Sequence, residues 1–377
     1  MIRRVHIINV VRKFTLTTAF FLAPLHFLKL GFGGVEIGLV ISCYSVAPIV
    51  FSFPTGWMND RFSMKAVIRT ALLAQGLLFA LIGLAPNAGL MAALFFLLGI
   101  ANNALDVSTQ SLYYKDDTEP NPNRKYGLYN FWLAVGPPAG LIAGGALNFF
   151  SGYRTLMAAF AALMALGALA LRGFGHEMFS VVTMREYRAT ILRKKTLAFS
   201  AFLFILAVHW GVEGTIYSPF LRQRFGLNDF GVALYMALAY LALAASSLAV
   251  SRLAFRPGRN RRLLLLGIAL SGLGLFFMVQ DDVRLSFLFR FVHEAGDGLM
   301  GALILLTISR LFGKRLIGGS AGILLSIQTM GLMSGAMAFS SIGFRAGLQY
   351  PFYFAGALLA ANAVFGLYAV PRESGDR

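Results

Sequence analysis

"GWMNDRFSMKAVIR", Gly56 to Arg69, is a charged interval between two long apolar runs. It holds the acid Asp60, the bases Arg61, Lys65 and Arg69, and a glycine, Gly56, four residues before the acid. The runs on either side, near 35–57 and 66–86, each reach the roughly 20 residues that a helix needs to cross a hydrocarbon layer. Charges in such a connection must find water or protein partners, because the layer offers neither. Gly56 lets two helices approach closely. Asp60 can face a helix N-terminus or a basic partner, while Arg61 and Lys65 suit the cytoplasmic side of a bilayer.

The same alternation runs through the chain. Its 377 residues are 58% hydrophobic and 13% charged, with a mean hydropathy of +0.70, whereas soluble domains carry about a quarter charged residues. The 40 glycines and 35 phenylalanines suit closely packed helices in lipid. Apolar runs fall near 9–31, 35–57, 66–86, 90–112, 127–149 and 153–172, then near 196–221, 230–251, 263–280, 284–310, 318–341 and 347–370. The expected fold is therefore an all-α integral membrane protein of twelve transmembrane helices in two six-helix bundles. Residues 1–172 form the first bundle, 173–195 a cytoplasmic linker and 196–377 the second bundle. The net charge of +17 does not point to nucleic acid, because Lys and Arg concentrate in short loops on one side, which places both termini in the cytoplasm. The single cysteine, Cys43, excludes a disulfide framework and a cysteine zinc site. The absence of an Asn-x-Ser/Thr acceptor fits a bacterial inner membrane. The linker "HEMFSVVTMREYRATILRKK" mixes apolar and basic positions at helical spacing, as an amphipathic helix on the membrane surface would. A plain basic linker is the alternative, and neither reading gives it a part in function.

Gly56, Asp60, Arg61 and Lys65 fit the G-x-x-x-D-R-x-x-x-K core of the loop signature of the major facilitator superfamily, with Ser63 and Met64 departing from it. The chain resembles that family in its whole layout, although this is the one specific motif. The resemblance implies two six-helix bundles and alternating access about a central cavity lined by the first, fourth, seventh and tenth helices. It also implies a gating role for the motif. "GPPAG", Gly136 to Gly140, is similar to the core of a family antiporter signature, with Leu141 where a second glycine is typical. Read structurally, Gly136, Pro137 and Gly140 make a packing kink. The arginine usual in the fourth span of many drug/proton antiporters has no counterpart in "LFFLLGIANNALDVSTQ". The equivalent loop of the second half, "SRLAFRPGRNRR", is basic but lacks the acid.

Ionisable residues inside spans are the remaining candidates, since a charge near the bilayer centre costs at least about 2.5–3.5 kcal/mol. In "FRFVHEAGDGLM", Arg290 and Glu294 are four apart, as are His293 and Asp297, so each pair shares a helix face. Entering near 284, the tenth span puts Asp297 about 20 Å deep. Gly296 and Gly298 clear space around it. In "FILAVHWGVEGTIYSPF", His209 and Glu213 also share a face, with Trp210 and Tyr217 beside them. Asp297, Glu294 and Glu213 are the proton-coupling candidates. His209, Trp210, Tyr217, His293 and Arg290 are the substrate candidates, joined from the first half by Asn102, Asn103 and His26. The structural alternative is an ion-pair network that fixes helix packing. Asp106 is expected to cap or to pair with a loop arginine, and Gln75 and Gln328 to be hydrogen-bonded packing residues.

"HEAGD" shares its first letters with the H-E-x-x-H zinc hydrolase motif, but Asp297 replaces the second His, so enzyme activity and resident cofactors are not expected. The expected function is a secondary transporter of a small organic solute, proton-coupled, monomeric and embedded in lipid. One alternative is divalent metal transport through His209, Glu213, His293, Glu294 and Asp297. The other is a receptor or scaffold without turnover.

Overall fold

The computed structural model describes residues 2–170 and 182–372. All regular structure among them is helical. The helices are α1 (Ile2–Lys29), α2 (Gly34–Arg61), α3 (Met64–Ile82), α4 (Ala88–Lys115), α5 (Pro122–Ala170), α6 (Met184–Ile191), α7 (Lys194–Phe225), α8 (Asp229–Arg252), α9 (Pro257–Phe277), α10 (Val283–Leu311), α11 (Ile317–Ala346) and α12 (Tyr350–Ala369). Among the described residues, eleven are long and apolar enough to cross a membrane, α6 being the exception.

The 49 residues of α5 would make a rod of about 74 Å if unbroken, more than twice the hydrocarbon thickness. The rod breaks at Gly152, whose φ of 79° lies in the left-handed region that glycine enters freely. Hence α5 supplies two crossings and the total is twelve, as the apolar runs predict. The linkers between helices use ordinary end chemistry. Asn87 and Asn228 accept the Leu90 and Gly231 N–H groups at 2.9 and 2.8 Å, and Gly226 closes α7 at φ 63°.

The described chain forms two compact units that do not follow the two halves of the sequence. The first comprises Met1–Asp116, Ala139–Tyr187 and Phe312–Ser326, and the second Asp117–Pro138, Arg188–Leu311 and Ile327–Arg377. Thus the start of α5 belongs with the later helices and the start of α11 with the earlier ones. The chain leaves the second unit at Pro138, within "GPPAG", where Gly136 and Pro137 are buried. Gly140 then lies so close to the Phe14 carbonyl of α1 that a Cβ would come within 2.2 Å of its oxygen. In the second unit, Gly296 meets the Gly267 carbonyl of α9 and Gly298 the Leu243 carbonyl of α8. These close approaches bring α10 into the middle of its neighbours.

Three expectations change. The helix in the linker exists but has only eight residues, and its Tyr187 is buried in protein rather than offered to lipid. Residues 173–181 of that linker, and 171–172 of the sixth apolar run, lie outside the described residues. Gln75 is buried, yet its amide has no hydrogen-bond partner among the described residues. It therefore packs without the hydrogen bond expected of it. Asp106 pairs with a helix arginine, not a loop one: α1 begins at Ile2, so Arg12 lies within it, 2% exposed and 2.8 Å from Asp106.

Candidate functional site

The second unit gathers the ionisable residues of α7 and α10 into one cluster. Arg290, 1% exposed, donates from one guanidinium nitrogen to Glu213 of α7 and from another to Glu294 one turn along α10. Its flat face lies 4.5 Å from the Tyr217 ring. His293 Nε2 lies 2.7 Å from the same Glu213 oxygen and 3.9 Å from Asp297. His209 Nε2 lies 3.5 Å from the other Asp297 oxygen, to which the Trp210 indole also donates at 3.3 Å. Helical spacing explains the pairs within each helix. It does not foretell that Glu213 enters between Arg290 and His293.

The histidine orientations limit where protons sit. His293 Nδ1 is 2.8 Å from the Ser271 carbonyl of α9, and His209 Nδ1 faces the Leu206 carbonyl. A carbonyl only accepts, so each Nδ1 carries a hydrogen and a neutral ring would present a bare Nε2. Bare Nε2 and carboxylate would repel at the 2.7 Å between His293 and Glu213, so a proton on either group favours that approach, although Nε2 is not aligned for a hydrogen bond. Across the cluster one guanidinium faces the carboxyls of Glu213, Glu294 and Asp297. Two added protons would neutralise it, and the low-dielectric surroundings favour neutrality. Ser271 donates to Asp297 at 2.6 Å. Sequence reading missed this serine, because a lone Ser in an apolar span carries no signal of its own.

Two cluster acids are less fully enclosed than the third: the side chains of Glu213 and Asp297 are 16% and 10% exposed, against 3% for Glu294. The ligand atoms of His209, Glu213 and His293 also lie within 4.8 Å of one another. Two imidazoles and a carboxylate suit a divalent transition metal, and imidazole N–H groups held by carbonyls are what metal-binding histidines commonly have.

The first-half candidates are placed elsewhere, in the first unit. Asn102 accepts from Arg12 at 3.5 Å, and Gln110 donates to Asp106 at 3.1 Å. Asn103, 1% exposed, accepts from Ser52 and donates to Thr55 of α2 at 2.5 and 3.4 Å. Its amide is thus satisfied in the α2–α4 packing. His26 stacks on Tyr153 with centroids 4.2 Å apart.

The loop motif forms a second constellation, also within the first unit. Gly56 packs on the backbone of Gly318, where a Cβ would meet the carbonyl oxygen at 2.2 Å. Asp60 is fully buried and meets both kinds of partner its charge allows. Lys115 of α4 lies 2.8 Å from one oxygen, and the other accepts the Gly319 N–H at 3.0 Å, in the first turn of α11 where N–H groups lack intrahelical partners. Tyr187 of α6 adds an O–H donated to Asp60 at 2.7 Å, its ring seated against Gly319. Burial and the bond to Asp60 push the Tyr187 hydroxyl above its ordinary pKa. Arg61 donates to the Val182 carbonyl at 2.6 Å and lies 4.4 Å from the Trp57 ring. Glu186 accepts from the Thr183 N–H and hydroxyl at 2.8 and 2.9 Å, a capping box, and pairs with Arg315 at 2.5 Å. The Thr183 bonds, helped by Arg315, hold the Glu186 carboxyl below the usual carboxylate range.

A twelve-crossing helical protein with a buried ionisable cluster and a clasped charged loop belongs to the class of polytopic membrane proteins with polar interiors. The family model described as Major Facilitator Superfamily matches residues 5–279 and again 197–377. The chain belongs to that superfamily. It is 26% identical over 124 residues to the uncharacterized MFS-type transporter YfkF of Bacillus subtilis, a match covering 32% of this chain and 31% of that protein. It is 37% identical over 57 residues to the inner membrane protein YqcE of Escherichia coli, covering 15% and 13%. The matches thus span less than a third of each curated relative. Among solved structures it is similar in fold to the human organic anion transporter MFSD10 (TETRAN), with a TM-score of 0.78, 15% identity and coverage of 97% and 99%.

Proposed function

We propose that the chain is a secondary transporter that moves a small organic solute by alternating access, coupled to protons carried by the α7–α10 cluster. Family membership and the fold of the MFSD10 transporter support solute movement rather than catalysis. The observation that supports the coupling is the 2.7 Å approach of His293 Nε2 to Glu213, whose repulsion a proton on either group would relieve, because His293 Nδ1 already donates to a carbonyl. Glu213 and Asp297 are the points of entry and release. Losing a proton leaves net negative charge around Arg290, which favours water or a cationic group in its place. Protonation on one side and release on the other drives solute only if the two facing states differ in proton affinity.

Arg290 is already engaged by Glu213 and Glu294. A cationic or zwitterionic solute therefore fits the cluster better than the organic anion in the name of the human relative. Trp210 offers a face to such a cation, whereas the Tyr217 ring already carries Arg290. The Asp60 clasp holds the start of α11 to α2 in one facing state, and the opposite state requires it to open. Lys and Arg placement puts the clasp and both termini in the cytoplasm. A bacterial inner membrane agrees with the B. subtilis and E. coli relatives.

Uptake into proteoliposomes, with and without a pH gradient, tests the reading. Wild-type protein is expected to accumulate solute only with the gradient. Asp297→Asn and Glu213→Gln are expected to remain folded and lose gradient-driven accumulation. Wild-type coupling in both variants would remove the cluster from the mechanism. Binding that never becomes flux would identify a receptor. The His209, Glu213 and His293 set favours one second reading, a divalent metal ion as cargo, which metal-selective flux lost in His209→Ala would establish.

A further inference from the structure

Helices α1 and α4 hold a further set of polar side chains, all within the first unit. Asn102, Asp106 and Gln110 stand four residues apart along α4, so they share one face. Arg12 of α1 meets that face at two points, through the ion pair with Asp106 at 2.8 Å and the bond to the Asn102 oxygen at 3.5 Å. Lys13 is the next residue, about 17 Å along α1 from its start at Ile2. A charge at that depth in a spanning helix needs a partner or water. Lys13 feels the charge of Asp106, yet Arg12 is the base that pairs with it. The Lys13 ammonium makes no ion pair or hydrogen bond among the described residues.

Two more donors stand open beside it. Thr17 lies one turn further along the same face of α1, and its hydroxyl has no partner among the described residues. An arginine only donates, so Arg12 fixes the Asn102 amide with its oxygen toward the guanidinium, leaving the NH2 group to donate elsewhere. That NH2 group has no acceptor among the described residues. Lys13, Thr17 and Asn102 are each partly exposed, whereas the nearby Thr15, Thr18 and Asn103 are buried and bonded. Phe20, a turn beyond Thr17, is also partly exposed and packs edge-on against Tyr44 of α2, with centroids 4.3 Å apart. This face of the unit therefore offers donors at one end and aromatic rings at the other.

We propose that Lys13, Thr17 and Asn102 bind the carboxylate of an organic solute whose apolar body lies against Phe20 and Tyr44. A carboxylate accepts several hydrogen bonds and matches the single charge of one ammonium. The nearby charge of Asp106 disfavours a doubly charged phosphate. The proposal rests on the transporter reading and narrows its solute class, cationic or zwitterionic, to the zwitterion, since only that one brings a carboxylate.

Thermal unfolding of the purified full-length protein tests the site, with titration by 3-phenylpropionate or by its neutral amide at constant ionic strength. The carboxylate is expected to stabilise the protein, with half-saturation at least about tenfold below that of the amide. Lys13→Met is expected to remove that difference, and Lys13→Arg to keep most of it. Lys29→Met takes away the other lysine of α1 and is expected to leave the difference unchanged. Where Lys13→Met does not fold, Thr17→Val removes one donor at constant shape, and about a fivefold rise in half-saturation by the carboxylate is expected. Equal binding of carboxylate and amide, no stabilisation by the carboxylate, a difference that survives Lys13→Met, or an equal loss in Lys29→Met would overturn the proposal. Because the readout is binding, a protein that holds the carboxylate through Lys13 without gradient-driven flux would overturn the transporter reading and not this site.

Discussion

Two loops in equivalent places of the two halves, one between α2 and α3 and the other between α8 and α9, tie down helices by different chemistry. In the first unit the tie is ionic: buried Asp60 takes Lys115, the Gly319 N–H and the Tyr187 hydroxyl. In the second unit the acid is missing and a pair of amides replaces it. Asn123 donates to Asn260 at 3.0 Å and Asn260 donates back at 2.7 Å, both residues being buried. Asn121 adds a bond to the Leu253 carbonyl at 3.2 Å. Small residues accompany both ties, Gly56 on Gly318 in the first and Gly127 on Ser251 in the second. Close backbone contact is thus shared by the two halves. The buried acid is found in one.

The difference sets how each tie responds to substitution. A buried charge stripped of its partner is left stranded, whereas a neutral amide loses only its hydrogen bonds. The largest effect is therefore expected from Asp60→Ala, which takes its carboxylate partner from Lys115, 4% exposed at its side chain. The expected loss is about 3–5 kcal/mol, read by denaturant titration in detergent. Asp60→Asn/Lys115→Met removes both charges and is expected to recover most of that loss. If Asp60→Ala costs no more than the neutral tie, the two loops are energetically alike and the contrast fails.

Asn260→Ala comes next, since it breaks two reciprocal bonds and leaves Asn123 unpaired, at about 2 kcal/mol in the same titration. Tyr187→Phe should follow at about 1.5 kcal/mol, the lower end for a bond to a charged acceptor. Its specific readout is hydrogen exchange. Amides of 184–187 and 319–322 should exchange faster in the variant while those near Asn260 stay unchanged. Equal exchange throughout would show that α6 takes no part in the ionic tie.

The smallest effect concerns pH. The folded Glu186 carboxyl lies below its ordinary value of 4.5, so its contribution is present above that value and lost as pH falls through the lower folded one. Acidification below pH 4.5 should lower the exchange protection factors of α6 in the wild type. Glu186→Gln should remove that pH dependence, and a persistent dependence would assign it to another group.

How much of this was legible depended on range along the chain. The pairs four residues apart on α10, and on α7, follow from helical periodicity alone. So does the suitability of Asp60 for a helix end or a base, because a buried acid admits few partners. Which partners it takes does not follow. Lys115, Gly319 and Tyr187 come from three other helices, 55, 259 and 127 positions away in sequence. Tyr187 in particular sits in a linker whose basic, mixed composition read as a membrane-surface helix. The burial of Arg12 was obscured for a different reason: it lies inside the first apolar run, and only the packing of α1 on α4 sets it against Asp106.

By itself the sequence determined the membrane environment, the number of crossings and the positions at which ionisable groups enter apolar helices. Lipid imposes those features residue by residue, through length, hydropathy and the need to satisfy every backbone group within the chain. Only the tertiary structure decided that Glu213 lies between Arg290 and His293. It alone assigned parts of α5 and α11 to the units of the opposite halves and put Tyr187 on Asp60. Such pairings arise from how distant helices pack, and no local periodicity encodes a contact between residues that far apart.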